Sequence, residues 1–392
     1  MKSDNPVCKI KSTSNCIQPR IAGLVLLSMS LPLSADETET IVKRIEAHDF
    51  HPVREGFTYD RLLDKHGVAD LADADWKIRT LAVRDLVASE DEPAIITALA
   101  HDNPQVRYFA AMALGIRRLE AAVPALENAL TSDAHSTVRS QAAIALGHIG
   151  KASSASALEA SLKNEKDRDV THQARLSLHA LKTGQAATPE LKQAWKSLDP
   201  ATFATAKVGE TAPDITLTDT AGKPWQLSDF RGKQAVALIW IFADWCPVCH
   251  GEFRDLIELK SEFEKAGIQP VTLECHDTFR AKVMVGGELE PEYWFAKKSF
   301  RETYTEKIWW PHLVDRAATA GVKYDIQPMA FAVHAEYINR PTVALIDKQG
   351  ILRFLYRGTY WGDRPTIREV LDMLANDSFD YAAPKKLPST KN

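Results

Sequence analysis

The stretch Ala235-Val-Ala-Leu-Ile-Trp-Ile-Phe-Ala-Asp-Trp-Cys246-Pro247-Val248-Cys249-His250 decides how this chain is read. From Val236 to Phe242 it is apolar without a break, as a strand buried on both faces should be. It stops at Trp245, and Cys-x-x-Cys then opens a helical pattern. Pro247 suits a first helical turn, where its missing N–H costs nothing. Two thiols at that spacing can close a disulfide with little backbone movement. The N–H groups and dipole of a helix N-terminus favour thiolate on the first of them. The pattern predicts Cys246 as attacking nucleophile and Cys249, one turn deeper, as resolving thiol.

The flanking segments extend this into an α/β unit. Upstream, Ile215 and Leu217, a turn at Ala221 and Gly222, and Trp225 to Leu227 read as a hairpin. Downstream, the helix is expected to run to about Ala266, with Gly267 as its stop. Residues 270–275 read as the next strand, parallel to the first. Residues 342–347 and 351–356 form a closing hairpin, and 366–374 a last helix. Cys275 would end its strand near the site, since ligands and catalytic groups gather at the carboxyl ends of strands in open sheets. Cys275 and His276 are therefore accessory candidates, set against a buried, inert thiol and a loop histidine. Cys275, His276, His312 and His334 show no recognised ligand spacing, so no metal is expected. No cofactor motif is read.

The opening from Val208 to Lys233, Trp245-Cys-Pro-Val-Cys249 with Glu252 and Phe253 after it, and Arg340-Pro341-Thr342 before an apolar run fall in one order. Together they resemble the redoxin branch of the thioredoxin superfamily, which includes the AhpC/TSA proteins and the reductases of cytochrome maturation. The resemblance covers residues 207–376 and implies a thioredoxin-like fold with a Cys-x-x-Cys dithiol/disulfide. It also implies a cis bond at Pro341, turning the Arg340 backbone toward Cys246. Trp245, Pro247, Arg340 and Pro341 are the substrate-binding candidates. Arg340 is a large cation where the family has small or apolar residues. Residues 277–310 and 327–339 read as insertions, rich in aromatics such as Tyr293, Trp294, Trp309 and Trp310.

The N-terminal half repeats itself. Ile78-Arg79, Val106-Arg107, Val138-Arg139 and Val170-Thr171 occupy equivalent places, 28, 32 and 32 residues apart. Ala82, Ala110, Ala142 and Ala174 follow, and then Leu86, Leu114, Leu146 and Leu178. Between copies a second apolar helix is expected at 93–99, 123–130 and 155–162. Small residues on one face let helices approach, and a stack buries what one hairpin cannot. This resembles the short, Ala-rich HEAT-like repeats, and predicts an all-α solenoid over residues 70–184. Thr171 in place of Arg marks a capping copy.

Residues 185–206 read as a linker, 36–69 as a lead-in and 377–392 as a tail. Residues 1–35 look like a signal peptide: Lys2, Lys9, Lys11 and Arg20 stand against Asp4, an apolar run follows, and Ser34 and Ala35 offer a cleavage site. The expected location is exported, periplasmic or extracellular, with an uncleaved membrane tether as the alternative. Loss of that +3 segment takes the net charge from −4 to −7, which carries no footprint for nucleic acid. It also leaves only Cys246, Cys249 and Cys275, too few for a stapled scaffold, so the thiols serve chemistry.

The expected activity is thiol–disulfide exchange with protein disulfides or dithiols, supplied by an upstream electron donor or acceptor protein. The repeats would hold a protein partner. Two alternatives stand beside it. A thiol peroxidase of the AhpC/TSA kind would need Pro and Thr or Ser ahead of the cysteine, where Ala243 stands. An adaptor with an accessory redoxin domain would not need both thiols.

Overall fold

The computed structural model describes residues 59–184, 187–275, 281–282, 284–286, 307–328, 330, 336–358 and 364–382. The expected signal segment, His276, His334 and the Tyr293–Trp294 aromatics lie outside the described residues. Among the described residues no helix is long and apolar enough to cross a membrane.

Each repeat supplies a helical hairpin. The first helices are α1 (Trp76–Ala88), α3 (Pro104–Arg117), α5 (Ser136–Ile149) and α7 (Arg168–Thr183). The second helices are α2 (Glu92–Thr97), α4 (Val123–Ser132), α6 (Ala155–Asn164) and α8 (Pro189–Lys196). Asp75, Asn103 and Asp167 cap α1, α3 and α7 by accepting backbone N–H bonds.

Two sequence features of the repeat have a physical cause. The Arg of each Val-Arg pair stitches loops together. Arg107 bonds the His101 and Asp102 carbonyls and makes a two-point ion pair with Asp133 at 2.7 and 2.9 Å. Arg139 does the same with the Asp133 carbonyl and Glu165. In the last copy Thr171 folds back onto Asp167 instead. The glycines of Ala-Leu-Gly allow contact between successive first helices. A Cβ on Gly115 would stand 2.7 Å from Ala145 Cα, and one on Gly147 would stand 2.6 Å from Ser177 Oγ.

The second region is built on a sheet of seven strands among the described residues, in the order β2-β1-β5-β4-β3-β6-β7. The strands are β1 (Thr216–Asp219), β2 (Pro224–Gln226), β3 (Ala235–Trp240), β4 (Ile268–Glu274), β5 (His312–Val314), β6 (Thr342–Ile346) and β7 (Leu352–Arg357). β3, β4 and β5 run parallel, and β1, β6 and β7 pair antiparallel. β3 lies between β4 and β6 and is buried from Val236 onward. Its carboxyl end leads directly to α9 (Pro247–Glu258), followed by α10 (Lys260–Ala266) with Gly267 in the left-handed region as C-cap. α11 (Ile367–Ala375) closes the fold behind a Thr366–Glu369 capping box.

The two regions share a core. α8 and the turn after it bury Leu191, Trp195, Leu198 and Phe203 in the same apolar cluster as the repeats, and Ala317, Val322 and Ala330 join it. Ala204 N–H bonds Val322 O at 2.8 Å, and Lys77 pairs with Asp325 at 3.1 Å.

Gly147→Ala is expected to lower stability by about 1–3 kcal/mol through overpacking against Ser177, although alanine is the better helix former by ~1 kcal/mol. Urea unfolding checks it; an unchanged or raised midpoint refutes the tight contact.

Candidate functional site

Cys246 is the N-cap of α9 and Cys249 lies in its first turn, so the strand β3 and the helix together place both sulfurs. Both are reduced and buried, Cys246 with 1% of its surface exposed. Pro247 and Val248 form the lip, the first exposed and the second half-buried.

The donors converge on Cys249. Phe242 N–H reaches its Sγ at 3.3 Å and Arg364 Nη2 at 3.6 Å. Burial alone would push the Cys249 thiol up. The hydrogen bond from Cys246 and the Arg364 charge outweigh that and bring it below its ordinary value. Burial, then the hydrogen bond to Cys249, pushes Cys246 well up. When the reduced pair loses its first proton, these donors favour the charge on the inner sulfur. The helix N-terminus favours the outer sulfur, and the fixed donors at Cys249 and the burial of Cys246 act against it.

Arg364 was not singled out from the sequence. It is fully buried, with Nε 2.6 Å from Glu252 Oε1, Nη2 on Glu252 Oε2, and Nη1 2.5 Å from the Trp240 carbonyl. Burial opposes its charge, but Glu252 and the thiolate hold its pKa above the usual value. Arg364 lies 115 residues from Cys249 with no motif around it, so only the fold reveals it. Glu252, three residues beyond Cys249 on one helical face, carried a signal that the motif reading left without a role.

The remaining candidates separate. Trp245 is brought in: its Nε1–H donates to Glu336 Oε2 at 2.8 Å, and its ring packs edge-on against Phe242 at 5.2 Å. Pro341 precedes Thr342, which pairs with Trp240, so it lies at the same strand end. Among the described residues no peptide bond is cis, so the expected cis bond at Pro341 is corrected to trans. Gly358 N–H donates to the Pro341 carbonyl at 2.7 Å, and Thr342 Oγ1 donates to the Arg340 carbonyl at 3.0 Å. Arg340 Nε bonds the Gly358 carbonyl, and the guanidinium at the sulfurs is that of Arg364.

Cys275 ends β4 and lines a cavity of about 130 Å³ between the two regions, with Met112, Leu176, Trp195, Glu336 and Tyr337. Its Sγ donates to the Tyr337 carbonyl at 3.2 Å. Burial, then Asp315 and Glu274, pushes this thiol well up and keeps it protonated. His312 is held by Thr272 Oγ1 at 2.9 Å and Glu274 Oε2 at 3.2 Å. Among the described residues no cluster of three His, Cys, Asp or Glu could hold a metal ion.

Comparison with known proteins fits this geometry. The AhpC/TSA family model matches residues 208–355. The thiol-disulfide oxidoreductase ResA of Geobacillus kaustophilus is 30% identical over 152 residues, 39% of this chain and 70% of that protein. The chain belongs to the AhpC/TSA redoxin family. This redoxin also matches ResA of Bacillus thuringiensis at 26% identity, over 37% of the chain and 66% of that relative. The thiol:disulfide interchange protein DsbE of Vibrio cholerae is 35% identical over 81 residues, 20% of the chain and 41% of that protein. A HEAT-repeat model matches 68–144 and 92–179, so the redoxin carries HEAT repeats ahead of its thioredoxin-like domain. Among solved structures, a reduced 2-Cys peroxiredoxin of Plasmodium vivax aligns over 43% of this chain and 79% of that one, at 16% identity and a TM-score of 0.35. That likeness is too loose to bear on activity.

Arg364→Met removes the cation from Cys249 and strands Glu252. The thiolate absorbance of the reduced pair should titrate at higher pH, because the charged form loses its partner. The chain should lose about 3–5 kcal/mol in urea unfolding. A titration that stays in place would remove Arg364 from the site.

Proposed function

We propose that Cys246 and Cys249 are the dithiol/disulfide pair through which this redoxin exchanges disulfides with protein substrates. What carries the reading is the pair of donors, Phe242 N–H and Arg364, fixed on the sulfur of Cys249 beneath Cys246.

The reaction starts from the singly ionised dithiol, its charge favoured on the inner sulfur by Phe242 N–H and Arg364. Cys246 passes its proton to the Cys249 thiolate, and the Cys246 thiolate attacks a substrate disulfide. The substrate S–S bond breaks, one substrate sulfur leaves as thiolate, and a mixed disulfide forms on Cys246. The proton on Cys249 goes to that leaving thiolate. Cys249 then attacks the Cys246 sulfur, the Cys246–Cys249 disulfide closes, and the second substrate thiolate departs and takes a proton from water. Two electrons have moved to the substrate. An upstream dithiol protein returns them, or the cycle runs backwards to oxidise a dithiol. With 1% of Cys246 exposed, a neighbouring side chain must move before a peptide reaches it.

Trp245, Pro247, Arg340 and Pro341 make the rim for an extended substrate, and the repeats of residues 70–184 serve as a scaffold for a protein partner. The redoxin domain proper spans 207–376, preceded by the 185–206 connection. Residues 1–35 act as an export signal, which puts the exchange outside the cytoplasm, where disulfides persist.

Cys246→Ser is expected to abolish reduction of insulin disulfides by the reduced protein. Retained turnover would refute the assignment. Cys249→Ser is expected to accumulate a mixed disulfide between Cys246 and its substrate, which mass spectrometry of the trapped complex identifies.

A further inference from the structure

We infer that the last HEAT repeat sets the position of the Trp245 indole beside Cys246, through a two-link chain from Gln173 to Glu336 to Trp245 that makes Glu336 a positioning residue for the exchange site. The inference deepens the reading above and rests on it for its functional meaning.

The chain is direct. Gln173, 2% exposed on α7, donates from its side-chain amide to Glu336 Oε1. Glu336, also 2% exposed, accepts at its other oxygen from Trp245 Nε1–H at 2.8 Å. One carboxylate therefore holds two buried donors, one from each region of the molecule. Buried donors left without acceptors are costly, so each link has a strong preference for this arrangement. The effect reaches both sulfurs. Trp245 adjoins Cys246 in sequence and packs on Phe242, whose N–H holds Cys249. Because Cys246 is sealed to 1%, the hold on Trp245 governs how readily the thiol is uncovered.

Nothing about this link follows from packing alone. It borders the 130 Å³ cavity, where apolar side chains would close the same space with no polar group to satisfy. A carboxylate at 336 and an amide at 173 form a matched pair, since only a carboxylate can accept from both sides.

The test is a reciprocal swap in the full chain. Gln173→Glu sets two carboxylates against each other and breaks the link, whereas Glu336→Gln alone keeps both bonds, because the Gln173 amide turns over and accepts from the NH2 group at position 336. In the double variant the amide now at position 336 donates to the carboxylate now at position 173, and the amide oxygen accepts from Trp245, so both bonds return. The readout is the rate of carbamidomethylation of Cys246, followed by mass spectrometry, with thermal unfolding in parallel. Gln173→Glu should speed alkylation by about five-fold or more, the factor that matches one net hydrogen bond, while Glu336→Gln should stay within about two-fold of wild type. The double variant should return to within about two-fold of wild type. In a Trp245→Phe background, Gln173→Glu should no longer change the rate. A Gln173→Glu variant that alkylates at the wild-type rate overturns the inference. So does a double variant that regains thermal stability but not the wild-type rate, since the link is then structural only. Alkylation needs no disulfide exchange. If the swap behaves as expected while the wild type reduces no disulfide, the proposed function fails and the link stands.

Discussion

A buried guanidinium holds the site together. Arg364 ties three things that would otherwise drift: the last carbonyl of β3, the Glu252 carboxylate on α9, and the sulfur of Cys249. Removing a cation from water is expensive, and such a group persists only when its donors are matched. Here a carboxylate, a carbonyl and a thiolate match them. The strand-to-helix turn that carries the thiols is braced from below, and its negative charge has a fixed address. The first ionisation of the pair is thereby drawn toward the inner sulfur, and Cys246 has to shed its own proton before it can attack.

The helical repeats bear on that turn more closely than a tethered module would. They share a core with the thioredoxin-like domain through α8 and the residues after it, and they touch the site through Glu336. The segment that looks in sequence like a break between domains buries Trp195 to 1% and packs it against Tyr337, with ring centres 5.1 Å apart and planes tilted by 55°. Glycine and proline around it reflect tight turns rather than loose chain.

Much of this was legible in the sequence. The uninterrupted apolar run announced β3, Pro247 announced the first turn of α9, and the spacing of Val-Arg and Ala-Leu-Gly announced the helix pairs. Those features are local, and local rules govern them. The place of Cys246 and Cys249 at the strand-to-helix turn was legible for the same reason. Arg364, Glu336 and Gln173 were not, because each acts on a residue 90 or more positions away, where no periodicity points. β5 escaped too: three residues, His312 to Val314, just past what reads as the 277–310 insertion, complete the parallel part of the sheet beside β4. The donors that oppose the helix N-terminus at the thiols, Phe242 N–H and Arg364, come from other parts of the fold and carry no signal in the motif itself.

The two interhelical glycines have a mechanical consequence. With Gly115 against Ala145 and Gly147 against Ser177, three successive helices touch backbone to side chain with no compressible layer between them. Such a stack behaves as a stiff rod rather than a spring. A push at its far end, on α3, would be delivered to α7 with little lost on the way, and α7 is the helix that carries Gln173.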